Sequence, residues 1–193
     1  MHNVCMCKSA FPRLAQLRHR LSRGFTLIEL MVAVAVLAIL SAIAIPSMTR
    51  MITSARVSGT MNEYIAGVNL ARAEAVARGV RVTICAAAST TSCRTSGTDW
   101  TVGGWIVFVD NGLNPGQIDA GEEILRQRGD WTGMAAVIGP ASLRRVSYIS
   151  NGRLETGNMV GGVTFTPDLN DLTTQRRVCI DRSGRPRIDE LTC

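Results

Sequence analysis

The sequence predicts an α+β protein. A long N-terminal α-helix, transmembrane in its first half, packs by its second half on a C-terminal, antiparallel, β-rich head of two small sheets. Three observations carry that expectation. Residues 25–45, "FTLIELMVAVAVLAILSAIAI", are apolar throughout except for one acid, Glu29, and the mildly polar Thr26 and Ser41. The helical pattern then continues in amphipathic form to Arg78. Beyond Gly79 the apolar period drops to about two, in short runs broken by Gly, Asn and Asp.

The charge distribution divides the chain first. The 193 residues carry a net charge of +6, which on its face suggests a nucleic-acid or membrane partner. Of the 21 Lys and Arg, however, Lys8, Arg13, Arg18, Arg20 and Arg23 lie in residues 1–24, which hold no acid; the other 16, all Arg, face 15 Asp and Glu. Most of the basicity therefore belongs to an N-terminal leader, residues 1–24. Any basic surface beyond it has to be argued locally.

Residues 25–45 are long enough to cross a hydrocarbon core as a helix. The basic flank before them, and the absence of positive charge until Arg50, orient the N-terminus to the cytoplasm and the C-terminus outward. Glu29 is the anomaly, since a carboxylate in such a helix costs roughly 2–3 kcal/mol or more. One reading is a Glu that snorkels to the membrane surface. The sharper reading needs a cation, and a cut between Gly24 and Phe25 would create one, an α-ammonium four residues before Glu29.

The residues "RG" then "FTLIEL" resemble the class III signal of type IV pilins and type II secretion pseudopilins. The resemblance implies the type IV pilin fold, cleavage after Gly24 and N-methylation of Phe25 by a prepilin peptidase. It also implies that Glu29 pairs with the N-terminus of a neighbouring pilin during assembly. The protein would sit in the inner membrane by a single pass, head in the periplasm, before joining a pilus fibre. Pro46 falls where pilins often carry a helix-kinking proline. A rival reading takes "AIA" at residues 42–44 as an ordinary secretory cleavage site, but it leaves Glu29 unexplained and cuts inside a continuing helical pattern.

Residues 46–79 continue the helix. Met48, Ile52, Ala55, Met61, Ile65, Val68 and Ala75 fall on or near one stripe, with Arg56, Glu63, Asn69 and Arg72 elsewhere. Gly79 supplies a C-terminal cap. Residues 80–193 form the head. "VRVTICA" alternates apolar and polar residues, and "GGWIVFVDNG" reads as a more buried strand. "EEILRQR", "MAAVIG", "RRVSYIS", "GVTFTP" and "RRVCID" follow as short strand candidates. "NEYIAGVNLARAEAVARGVRVTICAA", "GGWIVFVD", "GEEILR" and a late "GRPRI" resemble the GspH/FimT-type minor pilins and pseudopilins. Residues 130–174 carry no such signature beyond "NGR".

Cys5 and Cys7 fall in the leader. Cys85, Cys93, Cys179 and Cys193 would lie in an oxidising compartment, where four cysteines allow three pairings. The shortest closures, Cys85 with Cys93 and Cys179 with Cys193, ask least of the topology, and free thiols are the alternative.

His2 and His19 are both in the leader, so the remainder holds no histidine and no His-based nucleophile or zinc site. No catalytic set and no cofactor motif is visible. The stretch "DNGLNPGQIDAGEE", residues 110–123, is loosely spaced like a calcium loop but lacks the order of an EF-hand; a polar hairpin loop is the alternative.

The strongest candidate site is "CIDRSGRPRI", residues 179–188. Arg182, Arg185 and Arg187 crowd a Ser183-Gly184 turn, with Arg176 and Arg177 upstream. Pro186 pushes Arg185 toward an extended conformation and implies an edge strand. Arg185 and Arg187 would then share a side with Cα atoms about 6.6 Å apart, a spacing suited to successive phosphates. With no flanking aromatic residue for base stacking, the chemistry points to phosphate contacts without sequence preference. The FimT-type resemblance implies the same, since that branch binds DNA during uptake through a C-terminal G-R-x-R motif, here Gly184-Arg185-Pro186-Arg187. The purely structural alternative is a secretion pseudopilin or pilus-priming subunit with no DNA role.

Overall fold

A computed structural model describes residues 24–140, 143–155, 161–168, 172–189 and 193. The leader and its Cys5 and Cys7 lie outside the described residues, apart from Gly24.

One helix, α1 (Leu27–Arg78), runs through Pro46 and ends at Gly79, which adopts φ 67° and donates its N–H to the Ala75 carbonyl at 3.0 Å. Its start is set by Thr26, whose hydroxyl accepts the Glu29 N–H at 3.2 Å. Thr26 and Glu29 thus stand in the order of a capping box. The helix begins two residues after Phe25 because Thr26 takes the cap. A boundary between compact units falls between Ile43 and Ala44. The described part of the first unit is apolar helix with no buried side chain; by length and composition it can cross a membrane.

The second unit, Ala44–Cys193, holds the rest of α1 and, among the described residues, nine strands: β1 (Val82–Ser89), β2 (Ser92–Cys93), β3 (Trp105–Val109), β4 (Ile124–Arg128), β5 (Met134–Ile138), β6 (Arg145–Tyr148), β7 (Gly161–Pro167), β8 (Arg176–Ile180) and β9 (Pro186–Asp189). A short 3-10 turn, Leu172–Thr174, precedes β8. All pairings are antiparallel. In the first sheet β1 is central, with β3 and then β4 on one side. Its other edge is shared by β6 along the first half and β2 along the second. The second sheet runs β5-β7-β8-β9. Every strand expected from the sequence is present, and β2 is an addition. It is too short to show a period and exists because it carries Cys93 to β1.

Two expectations need correction. The helical stripe is rotated from the one the large apolar residues suggest. Met48 and Ile52 are 60% and 52% exposed, Ala55 is exposed and Ile65 only half-buried. The buried face runs Thr53, Val57, Thr60, Met61, Tyr64, Gly67, Val68, Ala71 and Ala75. It uses small residues because the sheets come close: a Cβ on Gly67 would lie 2.9 Å from the Trp105 ring. The alternation in "VRVTICA" is also not that of a half-solvated strand, since Val82 through Ala87 are all buried. On one face Val82, Ile84 and Ala86 join the main core between α1 and both sheets. On the other, Cys85 and Ala87 join a smaller cluster with Cys93, Ile106 and Phe108, against which Ile118 and Ile124 pack. The buried Thr83 is satisfied by Asp110 Oδ2 at 2.5 Å and Ser147 Oγ at 2.7 Å.

The loop after β3 is held from within. Asp110, fully buried, accepts the Gly116 N–H at 2.8 Å and is ion-paired to Arg81 at 3.2 Å. Asp119 accepts from the Asn114 backbone and side chain, and Glu122 from the Gly112 and Asp119 N–H groups. The Asn114 side chain, and then its backbone N–H, hold the Asp119 carboxyl below its usual range. These acids close the loop from within.

Candidate nucleic-acid interface

The arginine turn begins with an aspartate that ties it. Asp181 Oδ1 accepts the Ser183 hydroxyl at 2.5 Å and the Arg185 N–H at 3.2 Å, and the Gly184 N–H returns to the Asp181 carbonyl at 2.9 Å. The Ser183 hydroxyl, more than any charge, holds the Asp181 carboxyl below its ordinary range. Asp181 thus serves the turn's backbone, which favours Asp at the start of such a reversal. Gly184 has φ 78°, a conformation open to glycine at little cost.

Gly184 is also buried. A Cβ there would lie 2.5 Å from Tyr148 Cε1. The Tyr148 hydroxyl donates to the Gly184 carbonyl at 2.7 Å, and burial pushes that phenol's pKa well up. Tyr148 ends β6 in the first sheet, so a side chain from one sheet fixes the hairpin of the other. It touches the turn but is itself fully buried, so it offers no face for a base to stack on. It lies 36 residues from Gly184, and no spacing in the sequence marks the pairing.

The five arginines separate. Arg182 and Arg185 are exposed and form no ion pair among the described residues. Arg187 is exposed on the outer face of edge strand β9, opposite Cys179, and reaches Asp189 at 3.0 Å. Arg176 and Arg177 start β8, far along the strand from the turn. Arg176 donates to the Thr173 and Gln175 carbonyls, and Arg177 to the Thr164 hydroxyl at 2.9 Å. The structure therefore keeps Arg182 and Arg185 at the turn, sets Arg187 on β9 one pair along from Arg177 on the same face, and ties Arg176 and Arg177 into the second sheet away from the turn. Proximity in sequence is misleading here because an extended β8 carries its two ends about 3.3 Å further apart per residue.

Cys179 is bonded to Cys193, 14 residues on, and Cys85 to Cys93, eight residues on. The first of these bonds spans Arg182, Arg185 and Arg187 and leaves Arg176 and Arg177 outside it.

Comparison with known proteins agrees with this architecture. The family model described as Type II transport protein GspH matches residues 60–184, and that of the prokaryotic N-terminal methylation motif matches residues 19–45. The chain belongs to the GspH family of type IV pilin-like proteins. It is 31% identical over 166 residues to the type IV major fimbrial protein FimA of Dichelobacter nodosus, covering 79% of this chain and 90% of that one. In fold, this GspH-family chain is similar to the type IV minor pilin FimU of Pseudomonas aeruginosa in two crystal forms. The TM-score is 0.50 in each, at 17% and 16% identity, covering 68% and 75% of this chain and 91% and 92% of FimU. One long helix on two antiparallel sheets is the pilin fold. Gly24 and Phe25, both exposed, fall within the residues that the methylation motif matches. Glu29 lies in the first turn of α1.

Proposed function

We propose that this GspH-family protein is a minor pilin of a type IV pilus whose head holds DNA by its phosphates. Prepilin peptidase cuts after Gly24 and methylates Phe25. The apolar half of α1 anchors the chain in the inner membrane with the head in the periplasm, then packs among other pilins in the fibre. Glu29 meets the Phe25 ammonium of a neighbour there. Arg182, Arg185 and Arg187 grip the DNA.

The observation that carries the DNA reading is the pair of exposed guanidinium groups, Arg182 and Arg185, without an ion pair among the described residues, on a turn that Asp181 and Tyr148 hold in one shape. A turn already held in one shape spares the backbone share of the ordering cost on meeting phosphate. Two to four phosphate contacts give a slope of log K against log salt of roughly −2 to −4 and no sequence preference. The affinity of one head is then low, and many heads on one fibre add avidity.

A second reading, a secretion pseudopilin or pilus-priming subunit without DNA, is favoured by the internal engagements of Arg176, Arg177 and Arg187. Titration with labelled duplex separates the two. The chain is carried in detergent and freed of residues 1–24, because that leader would bind DNA unaided. The Arg185→Ala, Arg187→Ala double variant is expected to bind at least tenfold more weakly. Unchanged binding would sink the site. Mass spectrometry of the native protein is expected to find methylated Phe25 at the N-terminus.

A further inference from the structure

The arginine turn has a neighbour. Residues 149–153 close a second tight turn directly after β6: the Ile149 N–H donates to the Arg153 carbonyl at 3.0 Å and the Gly152 N–H to the Ile149 carbonyl at 2.8 Å. Gly152, φ 74°, is buried like Gly184. The two glycine backbones meet, for a Cβ on Gly184 would lie 3.3 Å from the Gly152 carbonyl oxygen. That oxygen also accepts Arg72 Nε at 2.9 Å, which pins the second turn to α1.

Each turn carries an arginine directly after its glycine: Gly152-Arg153 in the first sheet, Gly184-Arg185 in the second. Arg153 is exposed and forms no ion pair among the described residues. Its backbone N–H is held by Asn151 Oδ1 at 3.0 Å. The nearest acid along the chain, Glu155, is engaged by Arg81 at 2.9 Å. Two rigid turns in contact thus present cations whose nearby carboxylates are already occupied.

We propose that the polyanion-binding surface is made of both turns, with Arg153 a further phosphate ligand beside Arg182, Arg185 and Arg187. This rests on the DNA reading above. A contact drawn from two sheets grips a backbone at two places across the seam, whereas a single hairpin grips it along one line.

The test uses the same leader-free chain in detergent with a labelled duplex, across a range of salt. Arg153→Ala is expected to weaken binding several-fold and to reduce the magnitude of the salt slope by about one. Arg153→Lys is expected to keep the slope. Arg126→Ala is the charge-matched control, since β4 and β6 lie at opposite edges of the first sheet. If Arg185→Ala, Arg187→Ala loses binding while Arg153→Ala behaves like Arg126→Ala, the two-turn surface is wrong and the single-turn reading stands. If none of these variants changes binding, the DNA reading itself falls. Equal weakening by Arg126→Ala and Arg153→Ala would mean that net charge alone matters, and would also overturn the proposal.

Discussion

At the scale of single residues, the site depends on what glycine permits. Gly184 combines a positive φ with a place against the Tyr148 ring, so any side chain there meets both backbone strain and a steric clash. Gly184→Ala is expected to cost about 1–3 kcal/mol, read from urea unfolding of the full chain in detergent, and to weaken DNA binding although no arginine is removed. A variant as stable as the parent would show that the turn is not held as described. The arginine cluster and the Ser183-Gly184 reversal could be seen in the sequence, because turn chemistry is local. The partner that fixes them could not. Tyr148 reads as an ordinary apolar strand residue, and the hydrogen bond from its hydroxyl exists only once two sheets have met. The same holds for Arg153. "NGR" stands out in the sequence only as a family signature, and its closeness to the other turn is a fact of tertiary structure.

At the scale of elements, α1 shows how a correct helix can be assigned the wrong face. Counting large apolar residues picks out Met48, Ile52 and Ile65, while the packed face is built on Thr60, Tyr64, Gly67 and Ala71. Close approach to Trp105 favours small residues, and burial by hydrophobicity alone cannot see a distance. A direct comparison follows. Gly67→Val overpacks the contact with Trp105 and is expected to cost about 1–3 kcal/mol. Ile52→Ala, at a half-exposed position, is expected to stay within about 0.5 kcal/mol of the parent. Denaturant melts of the two variants check this, and the opposite ranking would mean that the larger apolar stripe is the buried one. The strands were more legible, since β-branched runs between Gly, Asn and Asp mark them locally. What the period could not show is the second covering of β1, because Ile118 arrives from a loop with no period of its own and Ile124 from the first position of β4.

At the scale of the whole molecule, one core serves α1 and both sheets, with Tyr64 set edge-to-face on Trp100 at 5.5 Å and tilted against Phe165 at 5.9 Å. Stability is therefore shared, and the two disulfides act at its margins. The Cys179–Cys193 bond closes a loop of about 15 residues around the last hairpin, a constraint of roughly 3 kcal/mol in the loop-entropy model. Replacing both cysteines by Ala is expected to lower unfolding stability by about that much. DNA affinity is expected to fall less than with the arginine double variant, since Tyr148 still holds the turn. Calorimetry and the binding titration measure the two effects separately; affinity lost in full would assign the disulfide, and not Tyr148, as the main support.

The bond from Arg72 to Gly152 has a mechanical consequence. A hairpin at the edge of a sheet is a weak place to apply tension, because its outer strand can peel away one hydrogen bond at a time. Here a pull on the arginines meets the Tyr148 hydroxyl and ring, then the Gly152 backbone, then a guanidinium rooted in α1. The load passes sideways into the first sheet and the helix before β9 has to unzip. A ligand held at these turns would be tethered to α1, the element that continues into the apolar segment near the N-terminus.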